Sequence, residues 1–170
     1  MQKDFSYSVK VDDMPLVVQH CELTADKADL ARLAEILQVP AVKKMHADIY
    51  LQRQHGNSLL SVKGHIDSQI ELESVVSLEK FDREYNFDFD TMFDTHPSAG
   101  HRDESNWRED MPEPIFGGVL SLADVVIEQI ALRLEDYPRR EGESFSFVSE
   151  FSDDAEVRRS PFEKLAKLKK

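Results

Sequence analysis

The sequence has a single cysteine, Cys21, in 170 residues. A lone thiol cannot close an internal disulfide, so the chain reads as one made for a reducing, cytoplasmic setting. Long hydrophobic runs are absent too: no stretch approaches the roughly 18 apolar residues of a membrane-spanning helix. The opening MQKDFSYSVKV carries Asp4 and no apolar segment, which is not the pattern of a secretory signal. There is no H-E-x-x-H pair for zinc and no internal repeat. Positive charge is in deficit, with 21 bases against 33 acids and a net charge of -12. Such a chain is repelled by a phosphate backbone, which disfavours non-specific nucleic-acid binding and favours basic protein partners.

What is present suits a folded chain. Hydrophobic residues make up 41% and aromatic residues 9%. A chain of this length buries about two thirds of its unfolded surface. Charge is unevenly spread. From Asp82 to Glu113 there are ten acids against three arginines, whereas Ala155 to Lys170 holds six bases against two acids. The chain therefore has an acidic middle and a basic end.

Periodicity supplies the elements. Phe5, Tyr7, Val9 and Val11 alternate as on a strand, and Pro15–Leu23 is a second extended stretch. Leu30, Leu33, Ala34 and Leu37 share one face of a helix over Asp26–Gln38, capped by Thr24 or Asp26 and ended by Pro40. Lys44–Gln54 alternates, His55–Asn57 is a turn, and Leu60, Val62, Ile66, Ile70 and Leu72 continue in phase. Together they predict a long hairpin. Ser74–Phe81 is a corner, and Arg83–Phe93 alternates aromatic residues with acids. Neighbouring strands with one wet face predict an antiparallel sheet, with closure into a barrel left open. Residues 94–113 carry Pro, Gly, Ser and charge without a period and predict a flexible acidic loop. A second helix is predicted over Leu122–Leu134, capped by Ser121 with Asp124 three residues on, and terminated through Pro138.

Candidate chemistry is sparse. The Gly117–Gly118 pair before that helix suggests an anion cradle. A P-loop needs Lys and Ser or Thr next, and a Rossmann turn needs a third glycine. Neither follows, and Glu113 and Asp124 stand nearby, so the pair reads as a tight turn into a packed helix. Asp124 and Glu128, four apart, could act as acid and base, but a solvated helix face accounts for them far better. His96 and His101 sit among Asp94 and Asp103 at no established metal spacing. His20 and Cys21 are neighbours on a strand and so point to opposite faces. His46, His55 and His65 show no evident partners in the sequence. No catalytic residue, metal or cofactor is expected.

One resemblance is carried by the residues themselves. EPIFGGVLSLADVVIEQIALRLEDYPR resembles the C-terminal segment of the YceD-like family, the large ribosomal RNA subunit accumulation proteins, in its alphaproteobacterial-type form. The likeness lies at Pro114, Gly117, Gly118, Leu122, Glu128, Leu132, Leu134, Tyr137, Pro138 and Arg139. The terminal SPFEKLAKLKK is similar to that family's ending, and ADLARLAEILQVPAVKKMHADIYL and VKGHIDSQIELESVVSLEKF resemble its helix and the hairpin after it. Many members have a cysteine where this chain has Ser74, so no thiol role at that corner carries over.

The combined expectation is an α+β fold: an antiparallel sheet covered by two helices within a single domain of residues 1–140. A polar, then basic tail of residues 141–170 is expected to be disordered or weakly docked. The resemblance implies a cytoplasmic bacterial factor for accumulation or processing of large-subunit ribosomal RNA, with no known catalytic residues. Its partners would be a large-subunit ribosomal protein, precursor ribosomal RNA, or both, without a membrane; the oligomeric state is undetermined. Candidate binding residues are Gly117, Gly118, Asp124, Glu128, Tyr137, Pro138 and Arg139, with Arg158, Arg159, Phe162 and Lys164 in the tail. The competing readings are a protein–protein adaptor unrelated to ribosomes and a metal-dependent hydrolase or nuclease.

Overall fold

The computed structural model describes residues 2–54, 58–97 and 111–144, with side chains from residue 5 onward. The expected His55–Asn57 turn, most of the 94–113 loop and the tail from residue 145 lie outside these residues. The elements run β1 (Gln2–Asp4), β2 (Ser8–Lys10), β3 (Gln19–Thr24), α1 (Lys27–Leu37), β4 (Ala41–Arg53), β5 (Leu59–Glu73), β6 (Lys80–Asp94), β7 (Glu113–Pro114), β8 (Val119–Ser121) and α2 (Leu122–Ala131).

The fold is α+β. Six strands form one sheet in the order β1-β3-β4-β5-β6-β7, and β2 and β8 pair separately. The central pairs are antiparallel, but β1 joins β3 in parallel and so does β7 with β6, so the sheet is mixed. It is not closed into a barrel. Closure needs the two edge strands to pair along their length, and here they are only three and two residues long.

The frame is the β4–β5–β6 meander. Alternation buries Met45, Ala47, Ile49 and Leu51 on β4 and Leu60, Val62, Ile66 and Ile70 on β5. These join Leu33 of α1 and Leu122, Val125, Val126 and Ile130 of α2 in one apolar cluster. Each fully buried Leu, Ile or Val contributes about 1.5–3 kcal/mol, against about 0–1 for an exposed ion pair. The inward rows therefore hold the fold. The outward residues of the sheet are spared that task.

Local chemistry sets the ends of the elements. Asp26 caps α1 by accepting from the Ala28 and Asp29 N–H groups at 2.8 and 2.9 Å, and Asp29 reciprocates to the Asp26 N–H at 3.1 Å. Gln38 takes a left-handed conformation at φ 55, which lets the Val39 N–H reach Ala34 O at 3.1 Å. The strand after Pro40 starts at Ala41, earlier than expected, because a bulge between Val42 and Lys44 breaks the alternation at Lys43.

Three expectations need correction. The Phe5–Val11 strand is shortened: Phe5 and Ser6 turn, and only Ser8–Lys10 pairs, with β8 rather than with the main sheet. Its alternation survives because Phe5, Val9 and Val11 pack on the same core. Of Pro15–Leu23, only the part from Gln19 pairs, while Leu16, Val17 and Val18 stay exposed. The second helix ends at Ala131, short of Leu134, as Arg133 N bonds back only three residues to Ile130 O at 2.9 Å and tightens the chain into a turn.

Candidate functional site

The outward face of β3–β6 gathers most of the polar chemistry. Register lines up Glu22 opposite Asp48, Asp48 opposite His65, and His65 opposite Asp88. The adjacent row is Thr24, His46 and Asp67. His20 Nε2 donates to Asp48 Oδ1 at 2.9 Å, and its ring stacks on Tyr50 with centroids 4.6 Å apart. His46 Nδ1 is hydrogen-bonded to Thr24 Oγ1 at 3.0 Å, while its Nε2 lies 3.4 Å from Asp48 Oδ2 and 4.0 Å from Glu22 Oε1. His65 Nδ1 donates to Asp88 Oδ1 at 2.6 Å. The expectation that His46 and His65 lack partners is thus overturned; the partners sit on neighbouring strands, so sequence distance hid them. His55 lies outside the described residues. Asp48 is held below the usual carboxylate range, first by the His20 hydrogen bond and then by His46.

Asp82, Glu84, Asp88 and Asp90 are exposed along β6, as the alternation predicts. Lysines of neighbouring elements answer several of the acids on this face. The bulge frees Lys43 to reach Asp82 at 2.5 Å and Glu71 at 3.2 Å; Lys80 meets Glu71 at 3.2 Å and Lys63 meets Asp90 at 2.7 Å. Lys44 pairs with Asp67. Lys43 is held above its ordinary value, chiefly by Asp82, and Glu71 is held below by Lys43 and Lys80. Exposed pairs of this kind are worth about 0–1 kcal/mol each and are exchangeable. Glu84 makes no ion pair among the described residues.

The glycine turn is structural in its geometry. Gly117 and Gly118 adopt φ 80 and φ 68, and Gly118 O accepts from the Val11 N–H at 2.9 Å. The start of α2 is already satisfied: Leu122 N donates to Tyr7 O at 3.1 Å, and Asp124 N donates to Ser121 Oγ at 3.3 Å. An Asp12 carboxylate oxygen lies 3.4 Å from where a Gly118 side chain would stand, a poor neighbour for a phosphate. Asp124 is exposed on a groove of about 350 Å³ between the helices, beside Asp29, Arg32 and Ile36. Glu128 is exposed as well. Burial pushes the Glu113 carboxyl up, and the Glu128 charge adds to that.

Tyr137 is 73% exposed, but the next two residues anchor the chain through their backbone. Pro138 O accepts from Val75 N at 3.0 Å, and Arg139 O accepts from Arg83 Nη2 at 2.9 Å. This segment is tied to the β5–β6 corner, where Ser74 is fully buried. Ser74 Oγ donates to Glu143 and accepts from Val76 N at 3.1 Å. His96 contacts Thr95 at 2.8 Å and Asp12 at 3.7 Å. His101, Asp103 and the tail candidates Arg158, Arg159, Phe162 and Lys164 lie outside the described residues.

Among the described residues no helix is long and apolar enough to cross a membrane. Residues 62–169 match the family model described as Large ribosomal RNA subunit accumulation protein YceD. That span begins within β5, so the likeness of α1 and β4 to the family lies outside it. No curated protein and no solved structure matches the chain. With more than half of its length matched, the chain belongs to the YceD family, the large ribosomal RNA subunit accumulation proteins.

Proposed function

We propose that the protein is a non-enzymatic, cytoplasmic ribosome-biogenesis factor needed for accumulation or processing of large-subunit (23S) ribosomal RNA. It acts by binding a large-subunit ribosomal protein, precursor RNA, or both. The observation that carries this reading is the family match over residues 62–169. A net charge of -12 supports contact through a basic protein rather than through bulk affinity for RNA. The exposed acids of β6 are the surface for that partner: a lysine- or arginine-rich segment would replace the weak intramolecular lysine pairs with its own. RNA contact falls to the basic tail, with Arg158, Arg159 and Lys164 on phosphates and Phe162 as an apolar anchor. The 1–140 unit is the partner-binding domain in this scheme.

The test is sedimentation of the tagged protein from cell extract on a sucrose gradient at low and moderate salt, with bound RNA and proteins identified. The expected result is migration with large-subunit precursors and partial release by salt. Neutralising the six tail bases should weaken RNA association while leaving the melting temperature unchanged. Migration at the top of the gradient with no ribosomal component attached rejects the proposal in favour of an unrelated adaptor.

A further inference from the structure

Glu22 and Asp48 stand directly opposite each other on β3 and β4. Like charges in that position repel and weaken a sheet. Elsewhere on this face Asp67, Glu71, Asp82 and Asp90 each meet a lysine ammonium. Glu22 and Asp48 meet only imidazoles among the described residues. His46 Nε2 sits between the two carboxylates at 3.4 and 4.0 Å, longer than a normal hydrogen bond to either. The His46–Asp48 separation suits donors that share one ion, since two ligands bonded at about 2.0–2.1 Å to a tetrahedral zinc are roughly 3.3 Å apart, and the Glu22 carboxylate, farther out at 4.0 Å, has to swing inward to join them. All three donor atoms lie within 4.8 Å of one another, on half-buried residues.

The surroundings hold two of the donors in place. Thr24 Oγ1 engages Nδ1 of His46, which turns Nε2 toward the carboxylates. His20 engages Oδ1 of Asp48 and leaves Oδ2 facing His46, and stacking on Tyr50 fixes the His20 ring. Metal-binding histidines and carboxylates are oriented in this way by partners outside the ligand set. Both hydrogen-bonding partners come from β3, so the arrangement forms when β3 and β4 pair.

We propose that Glu22, His46 and Asp48 form a binding site for a divalent transition ion of the zinc type, with water completing the coordination. One nitrogen and two carboxylate oxygens suit such an ion. Binding relieves the Glu22–Asp48 repulsion and pins β3 to β4. The site is separate from the acids of β6, and its failure would leave the ribosomal reading untouched.

The test is isothermal titration of the chelator-treated full chain with Zn²⁺, with Co²⁺ visible absorption as a second readout. The expected result is one site on the wild type. His46→Gln and Asp48→Asn should each weaken binding at least about 10-fold, and Thr24→Val by roughly 10-fold. His65→Gln, on the same face and paired with Asp88, should leave binding unchanged. Thermal melts of the metal-free variants establish that each is folded. Absence of binding to the folded wild type, or binding that survives both His46→Gln and Asp48→Asn, overturns the proposal.

Discussion

Phe89 lies directly across the β5–β6 ladder from Gly64, and its ring fills the space that a side chain at Gly64 would need. A Cβ at Gly64 would come within 2.6 Å of the Phe89 ring and within 2.6 Å of Asp48 O on the other side. Gly64→Ala should therefore destabilise the protein by about 1–3 kcal/mol, as overpacking does. Phe89→Leu in the same chain should recover only part of that, because the Asp48 carbonyl is backbone and cannot step aside. Chemical denaturation of the two single variants and the double variant checks this.

The corner at Ser74 offers a second case. Its buried hydroxyl serves Glu143 and the Val76 N–H together. Ser74→Ala should cost about 1–2 kcal/mol by leaving these groups without their partner. Ser74→Cys should cost less than alanine does, since a thiol is a weak donor of similar shape. Melting curves of the two variants give the order.

The glycine turn leads to a prediction about conformation. At Gly117 nothing stands within 4 Å of a new Cβ, so the backbone at φ 80 is the sole obstacle. Gly117→Ala should cost about 1 kcal/mol from the left-handed conformation. Inorganic phosphate should stabilise neither the wild type nor the variant. A phosphate-dependent rise in melting temperature for the wild type alone would restore the anion-cradle reading.

Acid should loosen the sheet through Asp48. Its carboxyl titrates below the ordinary 3.8, chiefly because His20 donates to it. A depressed carboxylate adds stability that is fully present above the unfolded pKa and is lost as pH falls through the folded one. The melting temperature should thus drop between about pH 5 and pH 2, and less steeply in Asp48→Asn or His20→Gln. An unchanged slope in both variants would show that other carboxylates govern the acid limb.

Much of this arrangement could be read from the chain, for a local reason. Alternation at Met45–Leu51 and Leu60–Leu72 marks the inward rows because pleating sends successive side chains to opposite faces. Asp26 and Ser121 announce their helices because each cap bonds to an N–H two or three residues away. The same alternation misled over Phe5–Val11, where one period runs through a turn and then a short strand of the smaller sheet. It was silent on Ser74 and Glu143, which are 69 residues apart.

The amino-acid sequence alone determined which side chains face in or out along β4–β6, the acidic balance, and the tight glycine approach to α2. These depend on covalent geometry and on neighbours within a few residues. Tertiary structure decided which outward residues meet. Glu22, His46 and Asp48 come together because β3 pairs with β4 in one register, and a one-residue slip would turn every side chain of β3 to the other face. Burial of Cys21 and Leu23 holds that register. Long-range packing of the apolar face, rather than any motif on the polar one, therefore built the candidate site.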